Sequence, residues 1–300
     1  MTGYLPHLSI DIVLGQLLLG LINGSFYALL SLGLSIIFGL LNIINFVQGA
    51  FFMVGAFVAY FLLQSLGLSY WTALLLAPVV VGIFAILIEQ TMLRRLYKLD
   101  HVYGWLLTFG LSLMLESGFR QIYGISGKRY SAPEALSGGI DLDFIFLPTY
   151  RVWVVCASAI ICFCVWYAIE QTRLGSYLRA STENAVLVRA FGINVPVLLT
   201  ITYGFGAALA GFAGVLAAPI FQVSPAMGSN VIVVLFAVVV IGGLGSIAGT
   251  IFTGLIVGII EAFTKVLYPE GSQVVIFLLM AVVLALKPSG LFGDPRLGAV

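Results

Sequence analysis

Charged residues are scarce in this sequence. Asp, Glu, Lys and Arg make up only 8% of its 300 residues, whereas soluble domains carry about 25%. None of them, and no histidine, occurs in residues 12–88 or 190–260. Each of these runs can supply several crossings, because a helix needs about 20 apolar residues to span a bilayer core. The scarcity of charge excludes a soluble domain and predicts a multi-pass protein in a lipid bilayer.

Groupings of residues that support catalysis are also lacking. The two histidines, His7 and His101, lie far apart, and all three cysteines fall in one apolar segment, where they are typical of small hydrophobic residues. The string GISGKRY lacks the spacing of an ATP-binding loop. No Lys or Arg precedes the first apolar run, so that run is expected to be a retained span rather than a signal peptide. We expect no enzyme activity, no cofactor, no metal site and no nucleic-acid partner.

The apolar runs indicate helices. Residues 12–20 and 231–241 are continuously apolar, whereas strands of a membrane barrel alternate apolar and polar residues. The pattern predicts an all-α, polytopic transmembrane bundle of eight to ten spans, in a single domain covering residues 1–300, with some helices broken or short. Residues 12–41 fit one long tilted helix or a span followed by a broken piece. Residues 89–101 are predicted to be a charged loop and residues 124–149 the longest loop.

Small residues recur at four-residue intervals in several spans. The pairs are Gly20 with Gly24, Gly245 with Gly249, and Gly254 with Gly258. Such spacing puts small residues on one helix face and permits close helix approach. The pattern predicts tight packing within one bundle or self-association between copies.

A polar island at residues 170–195 separates two long apolar segments. Apolar residues recur there at helical spacing with charged residues on other faces, which predicts two short amphipathic helices. Ser181 or Thr182 is the predicted N-cap of the second helix, and Gly192 suits its C-terminal end. The island is either a connector or the place where a soluble partner pushes on the membrane domain. Its length and its apolar ridge favour the second interpretation.

Loop charges predict the orientation. If residues 89–101, 170–195 and the tail after residue 286 are cytoplasmic, eight of the 13 Lys and Arg residues lie inside, as the positive-inside rule favours. The three assignments also agree in parity. The C-terminus is therefore expected in the cytoplasm.

A few polar side chains interrupt the apolar spans. A charge at the bilayer centre costs roughly 3 kcal/mol, so Glu116 and Glu261 should face protein or water. Asn42, Asn45 and Gln48 lie close to one helical face, where they either satisfy backbone groups freed by a break or line a solute path. These five residues are the predicted substrate pathway.

Several motifs resemble one family in the same order. The island string RLGSYLRASTENAVLVRAFGINV, the earlier INFVQGAFFMVGAF, the later LAGFAGVLAAPI and IGGLGSIAGTIFTGLIVGIIEA, and the tail KPSGLFG are similar to the LivH/LivM-type permeases of branched-chain amino acid ABC importers, with LivH the closer match. The resemblance implies a multi-pass permease in the bacterial inner membrane. It also implies three kinds of partner: a second permease (LivM-like or another copy), two cytoplasmic ATPase subunits and a periplasmic substrate-binding protein.

The resemblance also implies that the island couples to the ATPases. The expected contact residues are Arg173, Leu174, Gly175, Arg179, Ala180, Glu183, Asn184, Ala185 and Gly192. The sequence departs from the family in one respect, because the family often has histidine where this chain has Gln48. A proton-linked role is not expected at that position.

The predicted function is therefore translocation of branched-chain or related amino acids, driven by separate ATPase subunits. The alternatives are a permease for urea, amides, a sugar or another small polar solute, and a stand-alone channel or secondary transporter. A stand-alone transporter would not need the island.

Overall fold

The protein is a bundle of long helices. The computed structural model describes residues 10–41, 44–97, 99–142 and 145–293. The helices are α1 (Ile10–Leu41), α2 (Val47–Leu66), α3 (Tyr70–Ile88), α4 (Arg94–Leu96), α5 (His101–Tyr123), α6 (Thr149–Glu170), α7 (Arg173–Glu183), α8 (Ala185–Ala190), α9 (Val195–Ala217), α10 (Met227–Gly242), α11 (Ile247–Leu267) and α12 (Ser272–Leu286). The predicted all-α class is confirmed.

The helix lengths agree with a polytopic membrane protein. Within the described ranges, six helices are long and apolar enough to cross a bilayer, and α10 and α12 are shorter apolar helices. With the 23-residue α5, the candidate crossings number nine, inside the predicted range. Large apolar side chains point outward from α3 and α5, as expected for surfaces that face lipid.

The first apolar run forms one helix of 32 residues, which settles the ambiguity over residues 12–41. The break after it is short, because α2 already begins at Val47. Gln48 therefore lies in the first turn of α2. Asn42 lies outside the described residues.

Two predicted loops contain regular structure. After α3 the chain continues through a π-helical turn (Glu89–Leu93) into α4, so the predicted loop at residues 89–101 is wrong over most of its length. Glu89 finds hydrogen-bond donors inside the protein, so its charge does not end the helix. The loop at residues 124–149 contains an antiparallel hairpin of β1 (Gly139–Leu142) and β2 (Ile145–Pro148), which its glycine-rich composition did not reveal.

Glycines join α1 to α11 along their length. A Cβ atom at Gly20 would lie 2.6 Å from the Cα of Ile259, and one at Gly24 would lie 2.8 Å from the Cα of Leu255. On α11, Gly254 and Gly258 likewise lie against the backbone of α1. These two small-residue pairs are therefore used for packing within one chain. The third predicted pair does not share a helix face, because Gly245 lies before α11 with a φ angle of 81°.

One end of the bundle gathers several segments that are distant in sequence. The C-terminal end of α1, the end of α6, α7 and the α10–α11 turn surround one small cavity. The tail after α12 reaches the same place, where Leu291 donates a backbone hydrogen bond to Ile241. We call this the α7 end of the bundle. The β1–β2 hairpin and the α9–α10 connection lie at the other end, where the backbones of Lys128 and Val223 are hydrogen-bonded.

Candidate functional site

The polar island forms two helices whose ends are fixed by side-chain caps. The Thr172 hydroxyl accepts a hydrogen bond from the Leu174 amide at the start of α7. Asn184 Oδ1 accepts from the Leu187 amide at the start of α8, and Asn194 caps α9 in the same way. Gly192 lies between α8 and α9 with a φ angle of 82°, which favours glycine.

The predicted N-cap of the second helix, α8, is wrong. Ser181 and Thr182 lie inside the last turns of α7, and their hydroxyls bond to backbone carbonyls of that helix. Asn184 is the cap instead, because its extended backbone separates α7 from α8. The prediction of two short helices is confirmed.

A buried face of the island seats it on the bundle. Gly175, Leu178, Ser181 and Val188 are buried, and α7 contacts both α6 and α1. Only Gln171 and Thr172 separate α6 from α7, so the chain turns sharply. A Cβ atom at Gly175 would overlap the carbonyl oxygen of Ile169. The island is therefore held tightly at this point.

The opposite face of the island is apolar and exposed. Val186 is 77% exposed and Phe191 is 76% exposed, and Leu174, Tyr177 and Leu187 are also exposed. Large apolar side chains that cluster on a surface mark sites of interaction. The ridge predicted from the sequence is thus divided between a face that seats the island and a face that is available to a partner.

Most of the predicted coupling residues are exposed. Those that are exposed are Arg173, Leu174, Arg179, Ala180, Glu183, Asn184 and Gly192. Ala185 is half-buried and Gly175 is buried. Arg179 pairs with Glu170 of α6 at 3.3 Å, a surface ion pair that is worth about 0–1 kcal/mol.

The predicted path residues Asn45 and Gln48 are fully buried between helices. Gln48 Nε2 donates to the Gly206 carbonyl at 3.0 Å, and the Tyr203 hydroxyl donates to Asn45 Oδ1 at 3.5 Å. Among the described residues, Asn45 Nδ2 and Gln48 Oε1 have no hydrogen-bond partner. Both amides thus lie against α9, and one polar atom of each has no hydrogen-bond partner among the described residues.

The two predicted carboxylates lie apart from these amides. Glu261 on α11 is 5% exposed; it accepts from the Tyr27 hydroxyl at 2.7 Å and pairs with Lys265 at 2.7 Å. Glu116 on α5 pairs with Arg120 one turn later at 2.8 Å. Each carboxylate thus has a protein partner, as a charge within a span requires.

A second buried carboxylate, Glu89, is not among the residues predicted from the sequence. Glu89 is 1% exposed and accepts from the hydroxyls of Thr200 at 2.6 Å and Tyr97 at 2.8 Å. Burial, together with the adjacent Glu89, raises the pKa of Tyr97 well above its usual value, so that the phenol stays protonated and donates. Glu89 thereby joins the π turn and α4 to the first turns of α9. The only available signal was its position directly after an uncharged run, which indicated a loop.

A bundle of apolar helices long enough to cross a bilayer, with an amphipathic segment seated on one end, defines a polytopic membrane protein. The chain belongs to the family described as the permease component of the branched-chain amino acid transport system, whose family model matches residues 16–284.

Curated relatives agree with this assignment over nearly the whole chain. The chain is 29% identical to the high-affinity branched-chain amino acid transport system permease protein BraD of Pseudomonas aeruginosa, over 96% of this chain and 98% of that protein. It is also 29% identical to the permease protein LivH of Escherichia coli K12, over 96% and 97%. The ribose import permease protein RbsC of E. coli K12 is 32% identical over 37% of this chain and 36% of its own length. No solved structure matches the chain significantly.

Proposed function

We propose that this chain is the permease subunit of an ABC importer that carries branched-chain amino acids across the bacterial cytoplasmic membrane. The observation that carries the proposal is the island, which is seated on the bundle by one face and leaves an apolar face uncovered. Membership of the permease family and the branched-chain amino acid transport for which BraD and LivH are named support the cargo. Residues 1–300 form its single permease domain, in which residues 170–195 are the coupling loop.

The proposed driving partners are two cytoplasmic ATPase subunits. The exposed apolar residues of α7 and α8 would pack into a groove on an ATPase, while Arg173, Arg179 and Glu183 fix the register. On this proposal the α7 end faces the cytoplasm, where the C-terminus is also expected. A periplasmic binding protein would deliver the amino acid at the other end, and a second permease, LivM-like or identical, would complete the pathway.

The connections of the island suggest how movement is passed on. Because α8 leads through Asn194 directly into α9, a displacement of the island reaches a helix that contacts α1, α2 and α3. ATP-driven closure of the partners would then rock these helices and open the path inward. The path residues proposed for this movement remain Asn42, Asn45, Gln48, Glu116 and Glu261.

Substitutions on the exposed face test the coupling proposal. We expect Glu183→Ala and Gly192→Ala to abolish leucine uptake while the protein remains in the membrane, because both residues are exposed and neither fills the core. An alanine at Gly192 also has to adopt a left-handed conformation, at a cost of about 1–2 kcal/mol. Uptake of radiolabelled leucine and membrane levels should be measured together.

The matched control is Glu270→Ala, which removes an exposed carboxylate from the turn between α11 and α12, away from the island and from the loop at residues 124–149. It should leave uptake unchanged. Wild-type uptake by both Glu183→Ala and Gly192→Ala would show that the island does not couple. A gentle-detergent purification provides a second check, since ATPase subunits should copurify. A homogeneous, ATPase-free protein that still transports in vesicles would instead support a stand-alone transporter.

A further inference from the structure

A cavity of about 250 Å³ lies between α1, α2 and the beginning of α10. It is at the end of the bundle opposite to α7, because the α9–α10 connection forms its rim. Its floor is made by Phe26, Leu30, Phe52 and Met227. The edge of the Phe26 ring meets the half-exposed Phe221, with their centroids 5.8 Å apart, so an aromatic pair borders the opening.

The rim of the cavity is polar but uncharged. Asn23, Gln222 and Asn230 contribute amides, and Ser224 contributes a hydroxyl. None of the described residues that line the cavity carries a formal charge. Amides both donate and accept hydrogen bonds, so such a rim can bond the ammonium and the carboxylate of a zwitterion. The first turn of α10 adjoins it, and a helix N-terminus favours a carboxylate.

The size of the cavity limits its occupant. Pockets for drug-sized ligands measure about 300–1,000 Å³, so this smaller cavity suits a solute such as a free amino acid. The apolar floor would take an aliphatic side chain, while a charged side chain would lose its hydration there without gaining a partner.

We propose that this cavity is a receiving site for a neutral amino acid with a branched aliphatic side chain, which sits with its side chain on the aromatic floor and its charged groups at the amide rim. The inference rests on the proposed function and specifies where the cargo first contacts this chain. Tyr27 lines the cavity and bonds Glu261, so the site adjoins one of the proposed path residues.

The rim is tied to the loop between α5 and α6, residues 124–149. The backbones of Lys128 and Val223 exchange two hydrogen bonds, at 2.8 Å and 3.0 Å, and Val223 is fully buried beside Gln222 and Ser224. A binding protein that docks on the loop would therefore act on the rim directly. Release of cargo and access to the cavity are thereby linked.

Changes in cavity size provide the test. Val231→Phe narrows the cavity, and the leucine-to-valine uptake ratio should fall about tenfold, since one methylene in an apolar pocket is worth about 10- to 200-fold. Val231→Ala widens the cavity and should raise the ratio. Val233→Phe makes the same substitution on the exposed face of α10 and should leave the leucine-to-valine uptake ratio unchanged. The measurement is the uptake of radiolabelled L-leucine and L-valine by the intact importer.

The outcomes separate the two proposals. A wild-type importer that takes up neither amino acid contradicts the proposed function before any variant is compared. If the wild type transports both and the ratio is unchanged in Val231→Phe and Val231→Ala, the receiving site is wrong. Should Val231→Phe fail to reach the membrane, the ratio measured for Val231→Ala decides by itself.

Discussion

Replacing Gly175 with leucine should displace α7 from the bundle and abolish uptake. The Cβ atom alone would overlap the carbonyl oxygen of Ile169, which belongs to the backbone at the end of α6 and cannot rotate away. Overpacking of this kind typically costs about 1–3 kcal/mol, occasionally more. Because only two residues join α6 to α7, the connection cannot absorb the shift locally. We therefore expect α7 to move away from the end of α6.

Limited trypsin digestion can detect this displacement without any partner. The island carries three potential cleavage sites, at Arg173, Arg179 and Arg189. We expect faster cleavage at these sites in Gly175→Leu, and an intermediate rate in Gly175→Ala. Ser176→Leu adds the same side chain to the neighbouring exposed position and should be cleaved like the wild type. Wild-type cleavage and uptake in Gly175→Leu would show that the island tolerates a side chain at this seat.

The membrane-crossing helices could be predicted because their signal is local. A bilayer span is encoded by about 20 consecutive apolar residues, and this chain contains almost uninterrupted runs of them. The island was recognisable for the same reason, as a local loss of apolarity with helical spacing. Both features required no knowledge of which helices are neighbours.

The face of the island that meets the bundle could not be predicted in this way. Leu174 and Leu178 are one turn apart and chemically identical, yet the first is exposed and the second is buried. The difference arises from the sharp turn after α6, which brings Gly175 against Ile169. That geometry depends on backbone direction at two residues, which periodicity does not report.

Gln48 and Glu89 show the same limitation for polar groups. From the sequence alone, a polar residue beside an apolar run indicates a break or a loop, since buried polar groups need partners. Their partners are Gly206 and Thr200 of α9, more than a hundred residues away in the chain. Only the tertiary structure reveals that Glu89 and the amide nitrogen of Gln48 have partners on α9, whereas Gln48 Oε1 has none among the described residues.

The Glu89 contact leads to the second large expected effect, on the proposed coupling path. Glu89→Ala removes the acceptor of two buried hydroxyl donors, those of Thr200 and Tyr97. Hydrogen bonds to charged groups contribute about 1.5–3 kcal/mol each, and these two hold the π turn to α9. We expect uptake to fall by about 5- to 150-fold, the range that corresponds to coupling free energies of 1–3 kcal/mol.

The expected signature is uncoupling rather than loss of the protein. Since the island, Asn194 and the first turns of α9 stay intact, stimulation of ATP hydrolysis by the binding protein should persist while leucine uptake falls. Two threonine variants provide the comparison, one at a hydrogen-bond partner of Glu89 and one at a nearby residue that does not bond to Glu89. Thr200→Val removes one donor to Glu89 and should reproduce part of the effect, whereas Thr91→Val removes a hydroxyl that bonds only to the Leu87 carbonyl of its own helix and should not. Equal behaviour of the two threonine variants would contradict a coupling role for Glu89, because then the π turn, not its link to α9, would account for the loss.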